Sequence, residues 1–217
     1  PEYSINLDVD FGAAIMLAQR RDGSDLVLAG QKSGVVWALE PDTGELVWNT
    51  KIGPGGASGG VHWGMAFDGE KVYAPNNLST GSTADGADPG LFALDVNTGA
   101  IAWEYHHSPD CSGNRRENIP SCDRNWGMSS ATILVDGAVV QGANDGFVKV
   151  FDSQSGEPIF TYDTARTFNT LNGVEAKGGA IDNFSIWAAN GTLFVQSGYG
   201  LMGIPGNVLL AFKPANP

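Results

Sequence analysis

The chain has 217 residues, of which 42% are hydrophobic, and its 12 Lys and Arg against 24 Asp and Glu give a formal net charge of −12. That length and apolar fraction allow one large domain or two small ones with a buried core, whereas the acidic excess argues against a nucleic-acid-binding surface. The sequence has no apolar stretch long enough to predict a membrane-spanning helix, and its 30 Gly and 11 Pro indicate many turns. It opens on Pro1 without a signal peptide, which we interpret as an excised or mature piece of a longer product.

Three similar phrases recur along the chain, each with a Thr-Gly or Ser-Gly pair followed by an aromatic residue. They read VVWALEPDTGELVW at 35–48, LFALDVNTGAIAW at 91–103 and VKVFDSQSGEPIF at 148–160. The steps between their glycines are 99 − 44 = 55 and 156 − 99 = 57 residues. A period of this size is typical of repeat proteins in which each copy is one supersecondary unit.

Each phrase predicts two short strands joined by a tight turn, because β-branched and aromatic residues flank a centre that holds Gly and polar turn residues. Two more apolar runs precede each phrase, so each unit is predicted to consist of four consecutive antiparallel strands. The predicted units cover 8–52, 59–107, 126–163 and 178–213, and the fourth ends early at NVLLAF.

Four-stranded units in series predict an all-β fold, a β-propeller with about four blades that together form one partial propeller domain over 1–217. One sheet alone cannot bury its face, so each blade must stack on its neighbours. The aromatic residues that close the three phrases, Trp48, Trp103 and Phe160, are therefore expected to fill the gaps between blades.

Cys111 and Cys122 flank a polar loop, CSGNRRENIPSC, and stand 11 residues apart. We favour a disulfide, which implies an oxidising compartment, with two unpaired thiols as the alternative. A zinc site is disfavoured, because there is no C-x-x-C pair and because adjacent His106 and His107 would point to opposite faces of a strand.

The repeated phrases resemble the tryptophan-docking repeats of the pyrroloquinoline-quinone (PQQ) dependent alcohol dehydrogenases, which are eight-bladed quinoproteins. DVDFGAAIML at 8–17 resembles the segment that carries the catalytic aspartate, and GQKSGVVWAL at 30–39 the segment whose basic residue contacts the quinone. YGLMGIPGNVLLAF at 199–212 resembles the last blade. The resemblance implies the C-terminal half of such a propeller, with the N-terminal blades of the same ring as its partner.

The cysteine-bounded insertion is most similar to that of the polyvinyl alcohol dehydrogenase group within this family. That similarity implies a periplasmic or secreted protein that oxidises secondary or polymeric alcohols with PQQ and calcium. It also implies cytochrome c as the electron acceptor.

The resemblance gives roles to one acidic and one basic residue of the first unit, Asp10 and Lys32. Asp10 matches the general base that takes the proton of the substrate hydroxyl, and it would lie near the calcium ion. Lys32 matches the donor to the quinone oxygens, where a positive charge stabilises the reduced form. Val9 departs from the usual aromatic residue. From the residues alone, Asp8 and Asp10 would cap a loop before a strand and Lys32 would be a solvated surface residue.

Four more residues match positions near the cofactor. Asn77 corresponds to an Asn beside the quinone, with Asn76 an equal candidate by count and turn formation as the alternative for both. Trp126 and Gly203 correspond to positions that border the cofactor edge. The Glu and Asn ligands for calcium belong to earlier blades of the family, so no further metal ligand is predicted in this chain.

Two alternatives to the dehydrogenase stay open. The first is a non-enzymatic propeller of the same repeat family that serves as an envelope scaffold or binding module. The second is a complete four-bladed propeller in which YSINL at 3–7 supplies the missing outer strand of the last unit.

Overall fold

The structure, a computed structural model, describes residues 8–77, 88–124, 126–200 and 203–214. Its first sheet pairs β1 (Met16–Gln19), β2 (Asp25–Gln31), β3 (Val35–Leu39) and β4 (Leu46–Lys51) in chain order. The second pairs β5 (Ala66–Phe67), β6 (Lys71–Asn76), β7 (Gly90–Asp95) and β8 (Ile101–His106). The third pairs β9 (Ile133–Val135), β10 (Ala138–Gly142), β11 (Phe147–Asp152) and β12 (Pro158–Asp163). The fourth has three described strands, β15 (Ile186–Ala189), β16 (Thr192–Ser197) and β17 (Val208–Phe212).

Two smaller elements lie in the connections between sheets. The helix α1 (Arg115–Asn118) lies inside the cysteine-bounded loop, between the second and third sheets. A two-stranded hairpin of β13 (Thr167–Asn169) and β14 (Glu175–Lys177) lies between the third and fourth sheets. The sequence prediction missed this hairpin, although Asn172-Gly173 at its turn is a strong hairpin signal.

Every named strand pairs antiparallel with the next strand of its sheet, so the predicted all-β propeller of antiparallel blades is confirmed. The repeat extends to the register. The first three sheets place equivalent residues opposite each other in their third and fourth strands, with the same register shift one residue later: Ala38 and Trp48, Ala93 and Trp103, Val150 and Phe160. The recurring sequence phrases therefore fold into hairpins with the same register.

Strand alternation sorts the loops of the described sheets onto two faces. The turns between third and fourth strands, which hold the Thr-Gly and Ser-Gly pairs, lie at one end of each sheet. The turns between second and third strands lie at the opposite end, together with the long connections from one sheet to the next. We call this opposite end the connection face. It carries the start of β1, the end of β2 and the loop that contains α1.

The cores lie between successive sheets. Leu28, Val36 and Trp48 of the first sheet pack with Val72 and Phe92 of the second. Equivalent clusters join the second sheet to the third and the third to the fourth. Each sheet therefore depends on its neighbour for burial, as expected of stacked repeats.

Two tryptophans fasten neighbouring blades together. The Trp48 indole nitrogen donates to the Val96 carbonyl oxygen at 2.9 Å, and Trp103 donates to the Ser153 carbonyl oxygen at 3.0 Å. Each ring also covers the turn glycine of the next blade, so a methyl group added at Gly99 would lie 2.5 Å from Trp48. The prediction that these aromatic residues fill the gaps between blades is confirmed for both indoles.

The third aromatic residue, Phe160, packs differently. It is 41% exposed, and its ring lies 5.9 Å from that of Phe212 on β17. A phenyl ring has no N–H group, so it makes no bond of the kind that the two indoles make.

Cys111 and Cys122 form the expected disulfide, with their Cα atoms 5.5 Å apart. Residues 3–7, which the four-bladed alternative assigns to an outer strand, lie outside the described residues. Among the described helices, none is long and apolar enough to cross a membrane.

Candidate functional site

The two residues that the sequence singled out first lie together on the connection face. The Lys32 ammonium is 3.0 Å from Asp10 Oδ1 and 3.0 Å from Asp8 Oδ2. The Lys32 backbone N–H also donates to the Asp10 carbonyl oxygen at 2.9 Å, which ties the approach to β1 to the turn after β2. The Lys32 side chain is 11% exposed, whereas that of Asp10 is 64% exposed. The arrangement is a buried cation whose partner carboxylate is open to a ligand.

The two carboxylates keep Lys32 charged. Burial by itself lowers the pKa of Lys32, but hydrogen bonds to Asp10 and Asp8 outweigh it, and the net pKa is raised. The bond from Lys32 in turn lowers the pKa of Asp8. The sequence analysis considered Asp8 only as a loop-capping residue before β1, and its contact with Lys32 was not predicted.

His62 lies against this pair and was also missed. A methyl group added at Gly12 would lie 3.1 Å from His62 Cδ2 and 3.3 Å from Lys32 Cε, so glycine there permits the close approach. The imidazole stacks on Trp63 at 4.4 Å between centroids, and Trp63 is held by a 2.5 Å bond to Asp182. Burial, followed by the Lys32 charge, lowers the pKa of His62.

A second group of candidate residues follows from the register of the sheets. Gly30 opposes Val36, Pro75 opposes Leu91 and Gly142 opposes Val148 at equivalent places. Two residues further along each second strand come Lys32, Asn77 and Asn144, which therefore occupy equivalent positions on three successive blades.

Asn144 is the member of this row that the sequence analysis did not single out. Its amide nitrogen donates to Asn77 Oδ1 at 3.2 Å, and Asn77 donates to the Ser58 carbonyl oxygen at 2.5 Å. The sequence does indicate that Asn144 is equivalent to Lys32. Each precedes the turn glycine of its own repeat by the same interval, 44 − 32 = 12 and 156 − 144 = 12. In the second blade the interval is longer, 99 − 77 = 22 residues, which hides the same relation in the sequence.

The register separates the two Asn candidates of the second blade. Asn76 points between the first two sheets, where it donates to the Asp88 carbonyl oxygen at 2.9 Å and packs on Gly53. Asn77 holds the position equivalent to Lys32.

Trp126 and Gly203 lie beside Asn144. The backbone N–H of Asn144 donates to the Gly127 carbonyl oxygen at 2.9 Å, next to Trp126. A methyl group added at Gly203 would lie 3.8 Å from Asn144 Oδ1. The structure thus gathers Asn77, Trp126 and Gly203 around Asn144 on the third blade, while Asp10 and Lys32 form their own cluster on the first.

The disulfide loop is fastened to the third blade next to this group. The Arg115 guanidinium, on α1, donates to the Asp145 carbonyl oxygen at 2.7 Å and lies 4.0 Å above the Phe147 ring. The buried Asp145 carboxylate is also 3.2 Å from His107 Nε2. Trp126 donates to the His107 carbonyl oxygen at 3.0 Å. One network of buried charges therefore holds the loop and the residue after Asn144 in fixed positions.

Hydrogen-bonding side chains stand at equivalent positions on the connection face of the first three blades. Lys32 offers a charged donor, and Asn77 and Asn144 offer amide groups at matching heights on adjacent blades. Across the described ranges, no three His, Cys, Asp or Glu side chains gather as a metal site would require.

Comparison with known proteins places the chain in a family. Residues 22–203 match the PQQ_2 family model, which is described as outer membrane protein assembly factor BamB. The polyvinylalcohol dehydrogenase of Sphingopyxis sp. (strain 113P3) is 35% identical over 95% of the chain. The chain spans about a third, 33%, of that protein's length.

Two solved structures share the fold. The quinohemoprotein alcohol dehydrogenase ADHIIG from Pseudomonas putida HK5 has a TM-score of 0.58 at 19% identity, over 89% of this chain and 29% of that one. BamB from Moraxella catarrhalis has a TM-score of 0.55 at 19% identity, over 97% of this chain and 48% of that one.

The fold and the match to the family model define a propeller built from PQQ-type repeats. The chain belongs to the PQQ_2 family, and its resemblance to polyvinyl alcohol dehydrogenases is confirmed.

Proposed function

We propose that the protein containing this chain is a PQQ-dependent alcohol dehydrogenase that oxidises secondary or polymeric alcohols and passes the electrons to cytochrome c. The observation that carries the proposal is the ion pair of Asp10 and Lys32 on the connection face. A carboxylate that is 64% exposed beside a buried ammonium is an arrangement that proton transfer can use. The similarity to a polyvinylalcohol dehydrogenase supports the same activity.

We assign a separate role to each of the two residues. Asp10 accepts the proton of the substrate hydroxyl as the carbonyl group forms. Lys32 donates a hydrogen bond and balances negative charge on the cofactor side, which a buried cation does more effectively than a solvated one. When bound, PQQ accepts the hydride that leaves the alcohol carbon. Asn77, Trp126 and Gly203 would border the cofactor, and calcium near Asp10 would take further ligands from blades outside this chain.

The wider assignments are proposals of the same kind. A disulfide in a polar loop supports a periplasmic or secreted location. The share of the Sphingopyxis enzyme that the chain covers supports further N-terminal blades as its partner in the same ring.

A test on the full-length protein compares two variants after reconstitution with PQQ and Ca²⁺. Asp10→Asn keeps the size of the side chain but removes the base, so single-turnover alcohol oxidation should slow by on the order of 10²–10⁴ while PQQ still binds. Lys32→Ala should weaken PQQ binding and slow oxidation together. Asp25→Asn, an exposed acid at the other end of the same sheet, is the matched control. Near-normal oxidation by Asp10→Asn would reduce Asp10 to a loop residue.

The second candidate function is an envelope scaffold or binding module, which the description of the matched family model favours. A scaffold has no need of a ligand-facing cation paired with an open carboxylate. Failure of the full-length protein to bind PQQ, with its fold intact, would favour the scaffold.

A further inference from the structure

Asn144 carries a buried polar atom that makes no hydrogen bond within the described part of the chain. The residue is 1% exposed, and its Oδ1 has no hydrogen-bond partner in the described structure. Buried polar atoms in native proteins are nearly always paired, and an unpaired acceptor destabilises the protein that contains it. The amide nitrogen of the same side chain is satisfied by Asn77, so the oxygen alone is left over.

The oxygen cannot easily turn away to find a partner. The residue's backbone N–H is bonded to Gly127, and the next residue, Asp145, is fixed by Arg115 and His107. The side-chain bond to Asn77 fixes the amide plane as well. The acceptor is therefore held in one orientation before any ligand arrives.

The surroundings of the oxygen point to the ligand site. Gly203 lies beside it, since a methyl group added there would be 3.8 Å from Asn144 Oδ1. The Asn144 backbone is bonded to Gly127, the residue that follows Trp126. Both Gly203 and Trp126 were matched to the cofactor edge. Asn144 also occupies the position on the third blade that Lys32 occupies on the first. The repeat thus presents a cation on one blade and an amide on each of the next two.

We propose that Asn144 is a further binding residue, whose buried amide oxygen accepts a hydrogen bond from an N–H or O–H donor of the ligand held on the connection face. The proposal rests on the proposed function for the identity of that ligand, PQQ, which offers a ring N–H donor. Lys32 supplies the complementary donor for the oxygens of the same ligand.

The test measures binding rather than turnover. Full-length protein free of cofactor is titrated with PQQ, and the dissociation constant is read from the quenching of tryptophan fluorescence. The midpoint of thermal unfolding is measured without PQQ. Asn144→Leu removes the amide at similar volume, and Asn144→Ser restores a smaller acceptor. Asn114→Leu, at an exposed position with no side-chain bond at the start of α1, is the matched control.

We expect Asn144→Leu to weaken PQQ binding about tenfold, the loss of one well-placed hydrogen bond. The PQQ-free unfolding midpoint should stay close to that of the wild type, because the variant loses the bond to Asn77 but also the unpaired oxygen. Asn144→Ser should recover part of the affinity, and Asn114→Leu should bind as the wild type does.

Unchanged affinity in Asn144→Leu would overturn the assignment of Asn144 and leave the proposed function standing. A large fall of the unfolding midpoint, with no recovery of affinity in Asn144→Ser, would overturn it too, since it shows a purely structural residue. If the wild-type protein does not bind PQQ, the proposed function itself fails, and the ligand assigned to Asn144 fails with it.

Discussion

Burial and neighbouring charge shift the pKa values of two histidines in opposite directions. His62 has its pKa lowered by burial and then by Lys32, although Asp182, Asp10 and Asp8 oppose the shift. His106 is more exposed, and bonds to Asp88 and Glu104 overcome its burial and raise its pKa. The two residues therefore contribute to stability in different ranges of pH.

The pH dependence follows from the sign of each shift. An unfolded histidine titrates near about 6.5. Below that pH the unfolded chain protonates at His62 more readily than the folded chain does, so His62 destabilises the fold as pH falls. Charged His106 stabilises the fold below about 6.5, and this contribution disappears as pH rises through its raised pKa.

We predict that His62→Gln reduces the loss of stability as pH falls below about 6.5. His106→Gln should instead remove the gain in stability that accompanies a fall of pH through the raised pKa of His106 towards about 6.5. Urea unfolding at a series of pH values measures both, and each variant controls for the other. Parallel pH profiles for the two variants would contradict the assignment of opposite shifts.

The sequence revealed part of the site because two of its residues stand in recognisable phrases. Asp10 and Lys32 were predicted to cooperate, and the structure places them 3.0 Å apart. Their catalytic and cofactor roles stay predictions. His62 was out of reach, because its approach depends on Gly12 of a different blade. Asn144 was within reach only by aligning the blades residue by residue.

At the scale of the blade, the closing aromatic residue decides how firmly two sheets are joined. Trp103 is 9% exposed and donates to Ser153, whereas Phe160 is 41% exposed and makes no such bond. We predict that Trp103→Ala costs about 3–5 kcal/mol of unfolding free energy and that Phe160→Ala costs clearly less. Urea unfolding of both variants gives the comparison. Equal losses would show that the indole hydrogen bond and its burial add nothing to the junction.

The blades themselves were predictable because the hydrophobic pattern, the turn residues and the repeat period all indicated the same four-stranded unit. The hairpin of β13 and β14 was missed because both strands are short and mostly polar, so their sequences show no alternation of apolar residues that would predict a strand. The loop anchored by Arg115 was also beyond the sequence, since its partners Asp145 and Asp163 belong to another blade.

At the scale of the molecule, the outermost described sheets leave apolar residues uncovered. Ile15 and Leu17 near the first sheet are 58% and 69% exposed, and Trp187 and Leu209 on the fourth are 72% and 64% exposed. Exposed apolar surface of this kind marks an interaction site. This surface supports additional blades that pack against both the first and the fourth sheet.

We predict that the 217-residue chain alone binds PQQ weakly or not at all, because it supplies residues from only one side of the proposed ring. Titration of the isolated chain with PQQ and Ca²⁺, beside the full-length protein, measures this. Submicromolar binding with dehydrogenase activity in the isolated chain would show that these blades form a complete site.

The turn glycines give a direct measure of whether a preceding blade docks on the first sheet. Gly44 and Gly99 share the same backbone angle, φ 71, so alanine strains both turns equally. Only Gly99 is covered: a methyl group there would meet Trp48 at 2.5 Å, whereas one at Gly44 would meet nothing within 4 Å.

In the isolated chain, Gly99→Ala should therefore cost more unfolding free energy than Gly44→Ala, by about 1–3 kcal/mol, the usual penalty for overpacking a tight contact. In the full-length protein, a preceding blade that ends in an indole would cover Gly44 as Trp48 covers Gly99, and the difference should vanish. Chemical unfolding of the four proteins decides the matter. A gap that persists unchanged in the full-length protein would mean that no blade of this repeat docks on the first sheet.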